Sequence, residues 1–413
     1  MVKNKINCWI ITFGMLIYLL PYCSTTNISF ISLYNFVLNA LSNVSQESTP
    51  NLPTTMDLIA ANGFGYQSYR VITKDGYILQ IHRIISKKSG PPILLQHGFS
   101  LASDIFVMCN RKSSLAFQLA DAGFDVWLSD QRGNWYSKKH LKYTTNDAQF
   151  WDFSFHESGF YDLPAIIDKI LDATGHSKIT YIGYSLGTTI FLVMASTRPE
   201  YNQKVKEAIL LGPTAMLSRI YGYSLEKIFY SLRTIYKLFQ MKGHYEFLPR
   251  TVNIIKWIKH LCRPSLLQKY CLDFLVMINR EHLENINKQL ISDQLSYFPA
   301  GTSVKNAHHL MQLFINGFRQ YDYGESGNRN MYKKSIPPLY PLHNITTPIA
   351  IYWAKNDVFI EHKNIEDLVK KLPNISKSYL VPDPNFSHID FIIGINTSKL
   401  VNENIITYLR ENN

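Results

Sequence analysis

The stretch from Lys178 to Ala195 combines a possible nucleophile with the elements that would hold it. A β-branched and aromatic run, Ile179–Ile182, predicts a buried strand, and the apolar run Thr188–Ala195 predicts a buried helix. Between them lies Gly183-Tyr-Ser-Leu-Gly187, which matches the pattern G-x-S-x-G. A strand, this pentapeptide and a helix in succession are typical of a nucleophile elbow, in which a sharp turn exposes the serine hydroxyl. We therefore take Ser185 as the candidate nucleophile.

A serine hydroxyl is a poor nucleophile at neutral pH, so it needs a base, and the base needs an orienting acid. After an elbow of this kind the partners are expected in the order acid, then histidine. Asp357 follows the predicted strand Pro348–Trp353, and His388 follows the predicted strand Lys377–Val381. Both positions lie beyond the carboxyl ends of strands, where sites form in open α/β sheets. We predict Asp357 as the orienting acid and His388 as the general base.

Each of these residues also has a structural interpretation. Asp357 could cap the helix that follows it, and His388 could be a surface histidine with satisfied hydrogen bonds. His97 and Asp390 are rival candidates for the base and the acid. However, His97 precedes the elbow, and Asp390 lies too close in sequence to His388 to fit the expected order.

The oxyanion that develops during acyl transfer needs main-chain N–H donors held in place beforehand. The residue after the nucleophile, Leu186, is expected to supply one, and Phe99 in His97-Gly98-Phe99 is expected to supply the other. The alternative for this tripeptide is an ordinary turn between a strand and a loop.

The surrounding sequence alternates between predicted strands and helices. Asp75-Gly76 separates two β-rich runs, Tyr69–Thr73 and Tyr77–Ile85, and predicts a hairpin. Further predicted strands are Pro92–Gln96, Phe124–Leu128 and Val205–Leu211, and predicted helices are Ser114–Ala120, Phe160–Ala173 and Asn364–Leu372. This alternation predicts an α/β fold, with a mostly parallel sheet covered by helices on both faces.

From residue 218 to about 329 the pattern is helical, rich in Tyr, Phe and Leu, and without clear strands. Sheet-like sequence resumes afterwards, so this block has the form of an inserted cap. Its aromatic residues could form the core of a helical subdomain, or some could face a lipid-binding cleft or form a mobile lid. The sequence leaves both interpretations open.

The N-terminus resembles a secretory signal: Lys3 and Lys5 precede the apolar run Cys8–Leu20, and small residues follow. A retained membrane anchor is the alternative, because Ile28–Leu41 is also apolar. The predicted organisation is a signal peptide (1–24), an N-terminal extension (25–55), the first part of the core (56–217), a helical cap or lid (218–335) and the second part of the core (336–413). A net charge of +11 is spread along the chain without a nucleic-acid-binding motif, which makes nucleic acid an unlikely partner.

Cysteine usage fits an oxidising compartment. Cys8 and Cys23 lie in the predicted signal region, whereas Cys262 and Cys271 are nine positions apart and could close a small loop. Cys109 would then be an unpaired thiol. Possible N-glycosylation sites are Asn27, Asn43, Asn344, Asn374, Asn385 and Asn396.

From about Asn62 to the C-terminus the chain resembles the acid lipase family of α/β-hydrolases, the group that contains gastric lipase and lysosomal acid lipase. The matching segments are Asn62-Gly-Phe, Thr73-Lys-Asp-Gly-Tyr-Ile-Leu79, Leu95-Gln-His-Gly98, Ser114-Leu-Ala-Phe, Asp121-Ala-Gly-Phe-Asp-Val-Trp127, Arg132-Gly-Asn134, Phe153-Ser-Phe155, Tyr161-Asp-Leu-Pro-Ala165, Gly183-Tyr-Ser-Leu-Gly-Thr-Thr189 and His388-Ile-Asp-Phe391. The Cys262/Cys271 spacing also resembles the family's cap disulfide. Two departures stand out. The family's usual elbow is Gly-His-Ser-Gln-Gly, whereas this chain has Tyr184 and Leu186, and Asp130 replaces an amide that is common in the family.

The resemblance implies an α/β-hydrolase fold and hydrolysis of neutral lipid esters, such as triacylglycerols or cholesteryl esters, through an acyl-enzyme on Ser185. It also implies a cap and lid over an acyl-binding cleft. We expect no metal or organic cofactor, only peripheral contact with lipid at a lipid–water interface, and secretion or a lysosomal location. The competing class is a catalytically weak or inactive lipid carrier on the same fold, and a membrane-anchored hydrolase is a third possibility.

Overall fold

A computed structural model describes residues 52–86, 90–217, 236, 239, 243–278 and 282–412, with only the backbone at 274 and 276–278. The predicted signal peptide, nearly all of the predicted N-terminal extension and the sequons at Asn27 and Asn43 lie outside the described residues. Among the residues described, no helix is both long enough and apolar enough to cross a lipid bilayer.

A central sheet holds most of the strands. The strands of the described residues are β1 Gly65–Ile72, β2 Tyr77–Ile85, β3 Pro92–Gln96, β4 Asp125–Ser129, β5 Lys139–His140, β6 Ile179–Tyr184, β7 Val205–Leu211, β8 Glu246–Phe247, β9 Thr302–Ser303, β10 Ile349–Trp353 and β11 Ile375–Leu380, and all but β8 and β9 belong to the central sheet. The order across the central sheet is β1-β2-β4-β3-β6-β7-β10-β11, and β5 pairs with β2. The strands from β4 to β11 in this order are parallel, whereas β1, β2 and β5 join by antiparallel pairing. The sheet is thus mostly parallel, as predicted.

The helices are α1 Thr55–Ala61, α2 Leu115–Asp121, α3 Phe155–Glu157, α4 Leu163–Thr174, α5 Leu186–Thr197, α6 Val252–Cys262, α7 Gln268–Ile278, α8 Ile291–Leu295, α9 Val304–Asn316, α10 Gly324–Tyr332, α11 His362–Lys371, α12 Asp390–Ile393 and α13 Glu403–Glu411. Local sequence accounts for several ends. The α1 helix begins after Thr54, whose side chain and that of Asp57 form a capping box. The α4 helix has Pro164 in its first turn and ends at Gly175, which adopts a left-handed conformation that favours glycine.

Hydrophobic side chains cover both faces of the sheet. Strand residues alternate between the faces, so Leu94 packs into the core on one side while Ile93 and Leu95 pack into the core on the other. The α5 helix is buried along almost its whole length, which explains why its sequence is apolar on every side. The helix that follows the elbow is therefore fixed by packing from all directions.

The described elements from β8 to α10 form an insertion between two neighbouring parallel strands, β7 and β10. Its described part is mainly helical, as expected, but the expectation of no strands is wrong. Glu246–Phe247 and Thr302–Ser303 form a short antiparallel pair. The two strands lie far apart in sequence and have only two residues each, so neither shows the alternating pattern by which a strand is recognised. Most of residues 218–242 lie outside the described part of the chain.

Candidate active site

Ser185 lies between the last residue of β6 and the first residue of α5, and its backbone is strained. Its φ and ψ angles are 53° and −121°, a region that non-glycine residues rarely occupy. The neighbouring residues on both sides are buried, whereas Ser185 itself is partly exposed. Its main-chain N–H donates to the Leu211 carbonyl oxygen over 2.9 Å, which ties the turn to the adjacent strand. The local geometry is that of the predicted elbow.

The two glycines of the pentapeptide are required by close packing. A Cβ atom on Gly187 would lie 2.5 Å from the carbonyl oxygen of Gln96, and one on Gly183 would lie 2.8 Å from the carbonyl carbon of Gly187. Real Cβ atoms do not approach other atoms so closely, so any side chain at either position would push the helix away from the sheet.

The structure brings Ser185, His388 and Asp357 together in one hydrogen-bonded chain. His388 Nε2 lies 2.9 Å from Ser185 Oγ, and His388 Nδ1 lies 2.7 Å from Asp357 Oδ2. Asp357 is fully buried, and its other oxygen accepts the Phe359 N–H over 2.9 Å. With the proton on Nδ1, the imidazole donates to Asp357 and accepts from the serine hydroxyl. The three residues follow the carboxyl ends of β6, β10 and β11, where the sequence predicted them, and the catalytic role of each stays a prediction.

Three further residues shape the surroundings of the imidazole, and no motif in the sequence predicted their role. The His388 ring packs between Tyr184 and Phe359, with ring centroids 5.2 Å and 5.0 Å away. The Tyr184 hydroxyl donates to the main-chain oxygen of His388 over 3.1 Å, and burial raises the pKa of Tyr184 well above its usual value. Gly212 has a φ of 58°, and a Cβ there would lie 3.1 Å from His388 Nδ1. The elbow tyrosine that departs from the family pattern thus contacts the histidine directly.

The main chain that was predicted to bind an oxyanion lies against Ser185. A Cβ atom on Gly98 would come within 2.9 Å of Ser185 Cβ and 3.3 Å of its Oγ, so the loop containing Phe99 borders the serine. Leu186 is the first residue of α5, and the first N–H groups of a helix have no partner within the helix. Both residues therefore occupy suitable positions, and their role as donors stays a prediction.

The rival candidates have structural roles. His97 Nε2 accepts from the Gln131 N–H over 3.1 Å, and burial lowers the pKa of this histidine. Among the described contacts of His97 there is none with Ser185. Asp390 accepts the Ser387 N–H over 2.8 Å and so supports the turn that contains His388. The unusual Asp130 is buried, and its Oδ1 accepts from the Ser103 N–H and the Asn134 side-chain amide, both over 2.8 Å.

The insertion contacts the loop beside the serine. The Ala300 N–H donates to the Ser100 carbonyl oxygen over 2.7 Å. Phe247 packs against Phe99 with ring centroids 6.0 Å apart. A buried ion pair joins Arg250 Nη1 to Asp104 Oδ2 at 2.6 Å. The described part of the insertion is therefore fixed to the segment that would bind the oxyanion.

The cysteines and sequons have clear positions. Cys262 and Cys271 form a disulfide, and Cys109 is an unpaired thiol whose pKa is raised by burial. Of the sequons in the described residues, Asn374 and Asn396 are exposed, whereas Asn344 and Asn385 are half-buried. Glycosylation at any of them stays a prediction. Within the described ranges, no group of three or more His, Cys, Asp or Glu residues is arranged to hold a metal ion.

The sequence matches two family models. One, described as the alpha/beta hydrolase fold, matches residues 91–240, and the other, described as a partial alpha/beta-hydrolase lipase region, matches residues 55–110. A solved structure from Sulfolobus solfataricus superposes with a TM-score of 0.60, covering 90% of this chain and 98% of that one at 16% identity. With the sheet order and the elbow, these matches define the protein as an α/β-hydrolase.

Curated relatives define the family more closely. Lipase 1 of Drosophila melanogaster is 35% identical over 374 residues, which is 89% of this chain and 81% of the relative. Gastric triacylglycerol lipase of Homo sapiens is 34% identical over 377 residues, 89% of this chain and 92% of the relative. Lipase member K of Homo sapiens is 32% identical over 379 residues, 90% and 93% of the two chains. The chain belongs to the acid lipase family and is a carboxylic ester hydrolase.

Proposed function

We propose that this protein is a lipase that cleaves neutral lipid esters, such as triacylglycerols or cholesteryl esters, through an acyl-enzyme on Ser185. The observation that supports this most strongly is the hydrogen-bonded chain from Ser185 Oγ through His388 to buried Asp357. Such a chain is what a serine needs to attack an ester carbonyl at moderate pH.

In the first half of the reaction, Ser185 Oγ bonds to the ester carbonyl carbon while His388 Nε2 takes the hydroxyl proton. The tetrahedral intermediate collapses, the bond to the alkoxy oxygen breaks, and His388 returns the proton to the leaving alcohol. In the second half, water repeats the attack on the acyl-serine with His388 again as base, and a fatty acid is released. Asp357 keeps the proton on Nδ1 and stabilises the imidazolium that forms in each half.

The negative charge on the former carbonyl oxygen would be bound by the main-chain N–H groups of Leu186 and Phe99. Main-chain donors at fixed positions stabilise this charge without having to reorient during the reaction. The close approach of Gly98 to Ser185 supports this role, because it places the loop beside a substrate attached to Oγ.

The substrate class is supported by the surroundings of the serine and by the relatives. The aromatic pair of Phe99 and Phe247 presents apolar surface beside the site, which suits an acyl chain better than a polar substrate. A relative carries the name gastric triacylglycerol lipase. We assign residues 218–335 as a cap and lid, with the hydrolase core formed by 56–217 and 336–413. No metal or organic cofactor enters this mechanism.

We further propose that the protein enters the secretory pathway through a signal peptide at 1–24 and is secreted or lysosomal. The disulfide between Cys262 and Cys271 supports this, because disulfides persist in oxidising compartments.

The direct test is Ser185→Ala, assayed on a panel of esters of different chain length from acidic to neutral pH. We expect the turnover rate to fall by on the order of 10⁶-fold, to the background of the assay, because the nucleophile is removed. Secretion should be unchanged, and the matched control Ser335→Ala, at an exposed serine of the insertion, should retain full activity. Unchanged hydrolysis by Ser185→Ala would refute the assignment, whereas lipid binding without hydrolysis by the natural protein would indicate a lipid carrier.

A further inference from the structure

The disulfide closes a short loop with an unusually exposed apolar tip. Residues 263–270 lie between Cys262, the last residue of α6, and Cys271, in the first turn of α7. Within this loop Leu266 is 96% exposed, Leu267 is 38% exposed and Tyr270 is 46% exposed. Exposed leucines do not contribute the free energy of burial to folding. A pair of them at the tip of a cross-linked loop therefore indicates a surface that binds another molecule.

Cationic side chains flank the leucines. Arg263 and Lys269 are both exposed, and no carboxylate in the described part of the chain lies within ion-pair distance of either. The segment from 252 to 273 contains four Lys or Arg residues and one Asp. The loop therefore combines an apolar tip with a positive rim.

The base of the loop is rigid and lies next to the candidate active site. Cys262, Cys271 and Leu275 form a buried cluster with Ile393, and Ile389 packs against this cluster. Ile389 directly follows His388, so the hairpin of α6 and α7 rests on the segment that positions the imidazole. The base of the loop therefore packs on the segment that holds His388.

We propose that loop 263–270 docks the protein on a lipid surface that bears anionic headgroups. Leu266 and Leu267 enter the acyl region, while Arg263 and Lys269 bind the headgroups around them. This inference deepens the lipase function proposed above and rests on it, since a lipase must reach substrate held in a lipid phase. The cross-link limits the conformational freedom that the loop would lose on insertion.

The size and chemistry of the loop favour lipid over a protein partner. Stable protein interfaces bury more than about 1,000 Å² in total, which an eight-residue loop does not provide by itself. Leucines surrounded by Lys and Arg are the composition that binds the boundary between headgroups and acyl chains.

The test measures sedimentation of the full-length Ser185→Ala protein with vesicles of phosphatidylcholine, with and without phosphatidylserine. Because Ser185→Ala lacks the proposed nucleophile, lipid binding is measured without hydrolysis of the lipid. We expect stronger binding to the vesicles that contain phosphatidylserine. Adding Leu266→Ser and Leu267→Ser should lower the partition coefficient on both vesicles by at least about tenfold. Adding Arg263→Gln and Lys269→Gln instead should lower it by about fivefold per charge, on the phosphatidylserine vesicles only.

The matched control is Leu141→Ser, which changes an exposed leucine next to β5 on the surface of the hydrolase core domain. It should bind like its parent, and all variants should unfold at the parent temperature because the altered side chains are exposed. Equal binding by the leucine variant and its parent would overturn the proposal. So would a solution dimer that the leucine variant abolishes, which would identify the loop as a self-association surface. Vesicle binding that fails while soluble esters are still hydrolysed rejects docking alone, and binding without hydrolysis by the natural protein rejects the lipase function alone.

Discussion

Replacing Asp357 by Asn perturbs the candidate site without changing the size of the side chain. Asp357 is fully buried, with one oxygen 2.7 Å from His388 Nδ1 and the other accepting the Phe359 N–H. In Asp357→Asn the amide oxygen would keep the bond from Phe359, and the amide N–H₂ would face Nδ1. Nδ1 must then accept, so the imidazole proton moves to Nε2. In that tautomer His388 no longer accepts the proton of Ser185.

The expected loss is about 10⁴-fold in kcat, or about 5.5 kcal/mol of transition-state stabilisation. The assay is kcat for a soluble short-chain ester, compared at one pH with the natural protein. A thermal melt verifies that the variant is folded.

The matched control is Asp390→Asn, two positions after the histidine. Its carboxylate accepts the Ser387 N–H, and an amide oxygen can accept the same bond. We expect kcat to stay within about tenfold of the natural value, because one neutral hydrogen bond contributes little. A loss of less than tenfold for Asp357→Asn, or an equal loss for Asp390→Asn, would refute the assignment of the acid.

Three further predictions concern the surroundings of the site. Tyr184→Phe removes the hydrogen bond to the His388 carbonyl oxygen, so kcat/KM should fall by about fivefold and the free energy of unfolding by about 1 kcal/mol; an unchanged kcat/KM would show that the bond does not position the imidazole. Arg250→Met strands the buried Asp104 carboxylate and should lower the free energy of unfolding by about 3–5 kcal/mol in a denaturant titration; adding Asp104→Leu should recover most of this loss, and no recovery would contradict the ion-pair explanation. Burial lowers the pKa of His309, so as the pH falls this histidine is protonated in the unfolded state before it is protonated in the folded state. The free energy of unfolding therefore decreases as the pH falls below about 6.5. His309→Gln should therefore show a shallower fall in stability between neutral and acidic pH, by up to about 1.4 kcal/mol per pH unit, and an identical slope would contradict this.

The interior of the sheet was predictable because its strands are buried on both faces. Pro92–Gln96 is a near-continuous apolar run, Val205–Leu211 ends in one, and the predicted bounds of both strands agree with the structure. The edge strand was predicted only in part: Gly65–Ile72 begins four residues before the predicted run. Its first half is exposed and is held by antiparallel pairing with β2, so no apolar pattern marks it.

The candidate site was likewise predicted only in part. Ser185, Asp357 and His388 were found because the elbow has a linear motif and the partners have a fixed order along the chain. The contacts of Tyr184, and of Arg250 with Asp104, were not predicted, because they join segments that are remote in sequence. Nothing in the spacing of such residues shows that they meet, and only the packed fold brings them together.

Trapping with a fluorescent organophosphonate tests the central claim most directly. The reagent forms a stable bond only with a serine activated by a correctly oriented base. We expect one adduct per chain, located by peptide mass spectrometry on Ser185, with its formation abolished by His388→Ala. Labelling at another residue, or hydrolytic activity that persists without labelling of Ser185, would contradict the account.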